Sequence, residues 1–546
     1  MSTIKKLFAT TLTASILFCS LTFPGMPGPA KAAQDTYGHS HNVIMMIPDG
    51  TNVEAVTTTR WMTDNKALTM DSMLTGMVRT NNANTPIADS APAGTAMSTG
   101  QKTESPFIAT YPTKAGMPGA ETMDESRAMA PLATVLEGAK RAGKSTGIIS
   151  TSNIQHATPA DFSSHHPNRN AYEDLGEQQV YQKMDVVLGA GSHYLTAENR
   201  ADKEDLIKEI KDQGYTYVTT PGEMASAGNG PLWGMFAGKS LAYDIDRDPA
   251  KEPALAEMTQ KALDILSQND KGFFLMVEGS EVDWAAHAND PVGVVSDLLA
   301  FDKAVAVAKE FADRHGNTTI IIAADHGTGG MTFGERAISK GYDKVPLQSF
   351  TKYIKNAKLT GQGVALRLNA DRSNIDAVMN EAYGLNDLTN EERQLIRDAK
   401  DVQGAVGKVI SDRSHIGWTT NGHVGGDVAL YCYTTSPEAK PLTGLVFNHE
   451  IGLYMADLLD LDLAALSKDL YVPVRDAFAG TGATITFDNS RPANPEVIVT
   501  KDKKTIIFPI SKNYAIIDGK RVELDGLTVF NTQKTYVPAS AAKLLG

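Results

Sequence analysis

Cysteine is nearly absent from this chain of 546 residues, which holds two, Cys19 and Cys432. Cys19 falls in an amino-terminal stretch built like a secretory signal peptide: Lys5 and Lys6, an apolar run from Leu7 to Leu21, then Ala30-Lys31-Ala32. Cleavage is expected after Ala32, so residues 1–32 form the signal segment and the mature protein is extracellular. A retained membrane anchor is the alternative, but the run is short, carries several Thr and Ser, and no other long apolar segment follows. Bulky Phe18 before Cys19 argues against lipoprotein processing. Cys432 then stands alone, which excludes an intramolecular disulfide despite export. It lies in the apolar run from Val428 to Tyr433 and reads as a core thiol.

Positive charge is also in deficit. The formal net charge is -13, and loss of Lys5, Lys6 and Lys31 with the signal segment makes it about -16. Such a balance argues against nucleic acid as a partner, while leaving room for a local cationic pocket that takes one small phosphate. With 42% hydrophobic and 21% charged residues, the composition suits a folded protein with a sizeable core rather than a disordered one.

Three apolar runs end in acidic residues. Val43 to Ile47 leads into Pro48-Asp49-Gly50, Phe273 to Val277 into Glu278-Gly279, and Thr319 to Ala324 into Asp325-His326. Short unbroken apolar runs separated by helical stretches read as strands of a parallel sheet buried on both faces, and such sheets bind ligands beyond their carboxyl ends. Carboxylates gathered there repel one another unless cations neutralise them, so the pattern predicts a metal site.

The fold class is α/β, a mostly parallel central sheet flanked by helices. Thr146 to Ser150 and Asp185 to Gly189 are expected as further strands. Met129 to Ala142, Ala254 to Ser267, Val294 to Ala312 and His449 to Leu461 are expected as helices. The body is assigned to residues 33–466. From about 328 to 420 the pattern turns irregular and polar, apart from a helical stretch near Asn374 to Ala382, and reads as an insertion at the site end of the sheet. Residues 470–546 change texture to β-rich runs with turns such as Asp518-Gly519 and Asp525-Gly526. Here Tyr471-Val472-Pro473 recurs as Tyr536-Val537-Pro538, and the absence of His and Cys leaves no imidazole or thiolate for a metal.

The remaining motifs are individually modest. Asp89-Ser90-Ala91-Pro92-Ala93-Gly94 would let a helix start tightly behind Ser90 and open its hydroxyl and nearby N–H groups to an anion; the bland alternative is a helix cap. Asp283 and His287, four apart, share a helical face and suit a single zinc, or else form a surface pair. His423 stands in the glycine-rich loop Thr420 to Asp427, where a lone histidine is commonly a surface residue. Arg169 could grip two phosphate oxygens with its planar fork, although most arginines are surface charges.

Pro48-Asp49-Gly50, Asp89-Ser90-Ala91, His156-Ala157-Thr158-Pro159, Arg169, Glu278 to His287, Ala324-Asp325-His326 and Gly422-His423 occur in an order that resembles the alkaline phosphatase family, from Asn42 to roughly Leu461. The segment after it resembles the small domain named for the amino-terminal region of copper amine oxidases; that name implies no copper here, and attachment, for instance to the cell wall, or stabilisation is the expected role. The first resemblance implies one zinc on Asp283, His287 and His423, and a second on Asp49, Asp325 and His326, with Ser90 beside it as nucleophile. It implies a third cation, magnesium, on Asp49, Thr158 and Glu278. Arg169 would bind phosphate, and small phosphate monoesters would be hydrolysed at alkaline pH through phosphoserine, in a homodimer. Two positions depart from the enterobacterial pattern: His156 replaces an aspartate near the magnesium and Trp284 a lysine near the phosphate. Both are expected to stand behind the ligands rather than among them, with His156 favouring zinc or cobalt over magnesium at the third site.

A sulfatase would carry a Cys or Ser within a local Pro and Arg motif, and Ser90-Ala91-Pro92-Ala93-Gly94 lacks the Arg. A phosphodiesterase of the same superfamily and a noncatalytic phosphate-binding surface protein stand as alternatives.

Overall fold

The computed structural model describes residues 37–546; the expected signal segment lies outside them. Its centre is a ten-stranded sheet. In chain order the strands are β1 (Asn42–Pro48), β2 (Leu74–Arg79), β3 (Ser145–Asn153), β4 (Val186–Ala190), β5 (Thr216–Val218), β6 (Leu232–Met235), β7 (Phe273–Gly279), β8 (Thr318–Ala323), β9 (Val428–Thr434) and β10 (Gly444–Phe447). Across the sheet they run β10-β2-β9-β8-β1-β7-β3-β4-β6-β5. Only β9, paired antiparallel to both β2 and β8, runs against the rest.

The apolar runs are unbroken because both faces of the sheet are covered. Along β1, Ile44 and Met46 enter one hydrophobic core while Val43, Met45 and Ile47 enter the other. Strands β7 and β8 divide in the same way, with Leu275, Val277, Ile320 and Ile322 on one face and Phe274, Met276 and Ile321 on the other. Side chains of this kind each contribute about 1.5–3 kcal/mol on full burial, so strand alternation locks the register in which the chain is read. The first face is covered by helices Val53–Met62, Leu255–Leu266 and Pro291–His315, the second by Val135–Arg141 and Asn448–Leu458. Cys432 is 5% exposed, in the second core, with its Sγ 3.5 Å from the Tyr454 hydroxyl.

Two stretches differ from the pattern read in the sequence. The helix expected from Met129 begins only at Val135, because Thr134 caps it: its side chain accepts from the Glu137 N–H while Glu137 reaches back to the Thr134 N–H. The polar insertion is irregular in its connections, yet it carries helices Leu347–Lys355, Gly361–Arg367, Ile375–Tyr383, Asn390–Asp398 and Val402–Arg413. Most of these are short, at seven to nine residues, and Asn390–Asp398 buries Ile396 alone, so each gives only a brief helical signal among the polar connections.

After helix Leu463–Leu470 the chain forms an antiparallel meander of Thr484–Asp488, Glu496–Lys501, Lys504–Pro509, Tyr514–Ile517 and Lys520–Glu523 around its own core of Val497, Val499, Ile506 and Phe508. The two Tyr-Val-Pro repeats meet as antiparallel partners, Val472 opposite Val537 and Pro473 opposite Tyr536. Among the described residues no helix is long and apolar enough to cross a membrane.

Candidate metal centre

Parallel strands in register bring their carboxyl ends level. Glu278 on β7 lies opposite Ile47 on β1 and Ser150 on β3, and Met46 lies opposite Ile322 on β8. Asp49 just past β1, Glu278 on β7 and Asp325 just past β8 therefore converge at one rim, each with no exposure to solvent. The turn after β1 is tight. Gly50 sits at φ +68°, and a Cβ there would lie 2.5 Å from Oδ1 of Asp283, so this position takes glycine for both backbone and space.

Asp283, His287 and His423 form one cluster, their ligand atoms all within 4.8 Å of one another. Helix Glu281–His287 presents the first two on one face, with His287 Nε2 3.3 Å from Asp283 Oδ2. His423 arrives from the glycine-rich loop, where a two-residue strand pairs His423 with Thr328. Each ring turns Nδ1 to a backbone carbonyl, His287 to Asn421 at 2.5 Å and His423 to Ala88 at 2.8 Å. Each Nδ1 therefore carries a proton, and both Nε2 atoms point inward, 3.2 Å apart. The bonded Asp283 carboxylate lifts His287 to about 9, so a cation entering here displaces a proton.

Asp49, Asp325 and His326 form a second cluster. His326 Nε2 is 3.1 Å from Asp325 Oδ2, 3.7 Å from Asp49 Oδ1 and 3.2 Å from Ser90 Oγ. Ser90 is buried as the first residue of helix Ser90–Thr99; the cap position belongs to Asp89, whose side chain makes no capping bond. That helix is buried along its whole length and packs against Ala157–Ser163 through Gly94, where a Cβ would strike Asp161.

The third group is Asp49, Glu278 and His156, with Thr158 two residues after His156 on the first turn of helix Ala157–Ser163. Glu278 Oε2 accepts from Ser150 Oγ at 2.6 Å. The opposite oxygen accepts no hydrogen bond, nor do either oxygen of Asp49 or Asp325 Oδ2, and Thr158 Oγ1 makes none, all of them buried. Buried oxygens without donors cost free energy that a bound cation would remove. Burial and the neighbouring carboxylates of Asp325, Asp283 and Glu278 push Asp49 far above the ordinary carboxylate range, and burial raises Glu278 to about 7. Oxygen and imidazole donors fit zinc in the first two clusters, and the oxygens of Asp49, Glu278 and Thr158 fit magnesium in the third, with the His156 imidazole beside them.

Arg169 closes the rim. One nitrogen pairs with Asp89 Oδ1 and the other lies 3.0 Å from His156 Nε2. A guanidinium only donates, so His156 accepts through Nε2; burial, reinforced by Arg169, pushes this imidazole down to about 3 and keeps it neutral. Trp284 stacks edge-on against His156 at 5.8 Å between ring centroids.

The alkaline phosphatase family model matches residues 40–461, and the model for the copper amine oxidase N-terminal domain matches residues 458–543. The chain belongs to the alkaline phosphatase family. Family membership makes it a phosphatase. The chain is 36% identical to alkaline phosphatase 4 of Bacillus subtilis, across 77% of this chain and 88% of the relative. Alkaline phosphatase 3 of the same organism is 34% identical, across 82% and 96%. In three dimensions it resembles the cold-active alkaline phosphatase of a psychrophilic Shewanella, with TM-score 0.66 and 31% identity over 77% of this chain and 99% of that one. The Thermus thermophilus alkaline phosphatase aligns with TM-score 0.68 and 25% identity over 80% and 96%.

The fold brings together the carboxylates and histidines of the three groups with Ser90 and Arg169, draws His156 closer to Asp49 and Glu278 than a supporting position requires, and reaches Trp284 only through the His156 ring. It also adds two that sequence reasoning missed. Thr328 donates to Asp283 Oδ1 at 2.5 Å and lies 3.3 Å from His326 Nδ1, so it ties the first cluster to the second. Ser150 holds Glu278. The available signals were small: Thr328 follows His326 by two residues, and Ser150 ends a predicted strand.

Proposed function

We propose that this phosphatase hydrolyses phosphate monoesters through a phosphoserine on Ser90, with two zinc ions and one magnesium ion per chain. Asp283, His287 and His423 would hold one zinc, Asp49, Asp325 and His326 the other, and Asp49, Thr158 and Glu278 the magnesium. The observation that carries this reading is the Ser90 hydroxyl standing 3.2 Å from His326, beside buried carboxylate oxygens without partners. When bound, the cations lower the pKa of a neighbouring hydroxyl or water and neutralise phosphoryl oxygens.

Ser90 gives up its proton to solvent and attacks phosphorus in line; the serine O–P bond forms as the ester O–P bond breaks, and the departing oxygen takes a proton from water and leaves as the alcohol. Water then attacks the phosphoserine from the opposite side, releasing inorganic phosphate and restoring the hydroxyl. Two inversions give net retention. Arg169, oriented by Asp89, grips equatorial oxygens throughout, and the free N–H groups of the first turn behind Ser90 face the same charge. Export by way of residues 1–32, a homodimer and a wall-facing C-terminal part complete the proposal; the signal-like composition supports the first, and the family resemblance the others.

The test uses purified mature protein with a chromogenic monoester and a matched diester at alkaline pH, before and after chelation, with zinc and magnesium restored separately. Monoester turnover that is lost on chelation and needs both ions to return is expected. Faster diester than monoester turnover by the fully loaded protein would move the substrate class to diesters.

A further inference from the structure

Buried polar contacts join the C-terminal part to the segment that carries Arg169. His165, fully buried and four residues before Arg169, turns Nε2 to the Tyr471 hydroxyl at 2.6 Å and to Glu137 Oε1 at 3.0 Å, while Nδ1 faces the Ala109 carbonyl at 3.2 Å. The Tyr471 hydroxyl donates to Glu137. Ala109 in turn donates its N–H to Thr95, on the helix that begins with Ser90. The Arg169 N–H is bonded to the Pro106 carbonyl, and His166 exchanges both backbone bonds with Ile108. Beyond Arg169, Lys512 Nζ is 3.0 Å from Glu177 and 2.5 Å from Glu204. Glu177 belongs to helix Tyr172–Gln182, so the Arg169 segment is fastened on both sides by residues from the C-terminal part.

Glu177, Asp202 and Glu204 gather closely enough to suggest a cation site. Lys512 and Arg200 already pair with them, Lys512 with Glu177 and Glu204, and Arg200 with Asp202 while lying 3.4 Å from Glu177. Their role is docking.

We infer that the C-terminal part is a brace for phosphate binding, in which Tyr471 and Lys512 are positioning residues that act through His165 and Glu177 on the placement of Arg169. The physical reason is that Arg169 sits in a connection between two helices, where backbone placement depends on what packs behind it. A guanidinium must meet two oxygens in one plane, so small displacements weaken it. The inference rests on Arg169 gripping phosphate.

The experiment compares the metal-loaded full chain with Tyr471→Phe, Lys512→Met, Arg169→Ala and the two double variants. It reads kcat and KM for a chromogenic monoester, competitive inhibition by inorganic phosphate, and melting temperature. Tyr471→Phe and Lys512→Met are expected to raise KM and the phosphate inhibition constant by about three- to tenfold, and to do nothing further in the Arg169→Ala background. Unchanged phosphate inhibition in both single variants, or the same fold-change with Arg169 absent, overturns the brace. Should Arg169→Ala alone leave phosphate inhibition unaltered, the phosphate-gripping role fails instead, and the two failures are told apart. Lys512→Met touches a different contact from Tyr471→Phe, so poor folding of one variant leaves the other to decide.

Discussion

Ser90 Oγ and His326 Nε2 lie 3.2 Å apart, although 236 residues separate them in the chain. The contact places a hydroxyl at the mouth of the Asp49, Asp325 and His326 cluster, and Ser90 has no capping duty to explain its position. Ser90→Ala should therefore leave fold and metal content intact while abolishing phosphoenzyme formation. The loss in kcat should be on the order of 10⁴- to 10⁶-fold, as for other nucleophile deletions. Acid-quench labelling with radioactive phosphate substrate checks it, and a labelled Ser90→Ala enzyme would remove Ser90 from the role.

Gly50 is packed directly against Asp283 behind the metal rim. Gly50→Ala adds a Cβ within 2.5 Å of Asp283 Oδ1 at a φ of +68°. We expect a stability loss of about 1–3 kcal/mol from the strained backbone. Displacement of Asp283 should also weaken zinc at its cluster by about 10- to 100-fold. Equilibrium dialysis against a zinc buffer measures the second effect separately from the first.

His156 divides its influence between Arg169 and the third cluster. Replacing it by aspartate exchanges an imidazole for hard oxygen ligands, so His156→Asp should strengthen the third site's selectivity for magnesium over zinc or cobalt. The new carboxylate would also draw the Arg169 guanidinium that now lies 3.0 Å from His156 Nε2. Activity restored to stripped protein as magnesium is titrated at fixed zinc reports the preference; an identical magnesium response in both proteins would refute it.

Glu137 gives the C-terminal contact a pH dependence. Burial pushes its carboxyl upward, but the charge and hydrogen bond of His165, with further bonds from Tyr471 and Thr134, outweigh this and hold it below its ordinary value of 4.5. A depressed folded-state pKa contributes stability above 4.5 that is lost as pH falls through the lower folded value. Glu137→Gln should cost about 1–3 kcal/mol near neutrality. The difference from the parent should shrink on acidification below 4.5, a trend that melting curves across the acid range would reveal.

Much of the centre was readable along the chain because its signals are local. An apolar run ending in an acid identifies a buried strand and places its carboxylate at the binding rim in one step, as at Asp49, Glu278 and Asp325. Asp283 and His287 were legible as a pair because helical spacing alone puts them on one face. Short strands such as β2 and β5 were not, since their mixed residues take meaning only from the neighbours they pair with. Thr328 was equally silent, because its value lies in reaching Asp283 and His326 together.

What the sequence by itself determined is the donor chemistry: which carboxylates, imidazoles and hydroxyls exist, and which strand or helix end carries each. Only the tertiary structure decided how they combine. It set His423 against His287 across 136 residues, turned both inward through the Asn421 and Ala88 carbonyls, and bound the Arg169 segment to Tyr471. The reason is physical. Strand and helix periodicities are properties of neighbouring residues, whereas ring orientation and the meeting of distant loops depend on sheet register and packing, which no single segment contains.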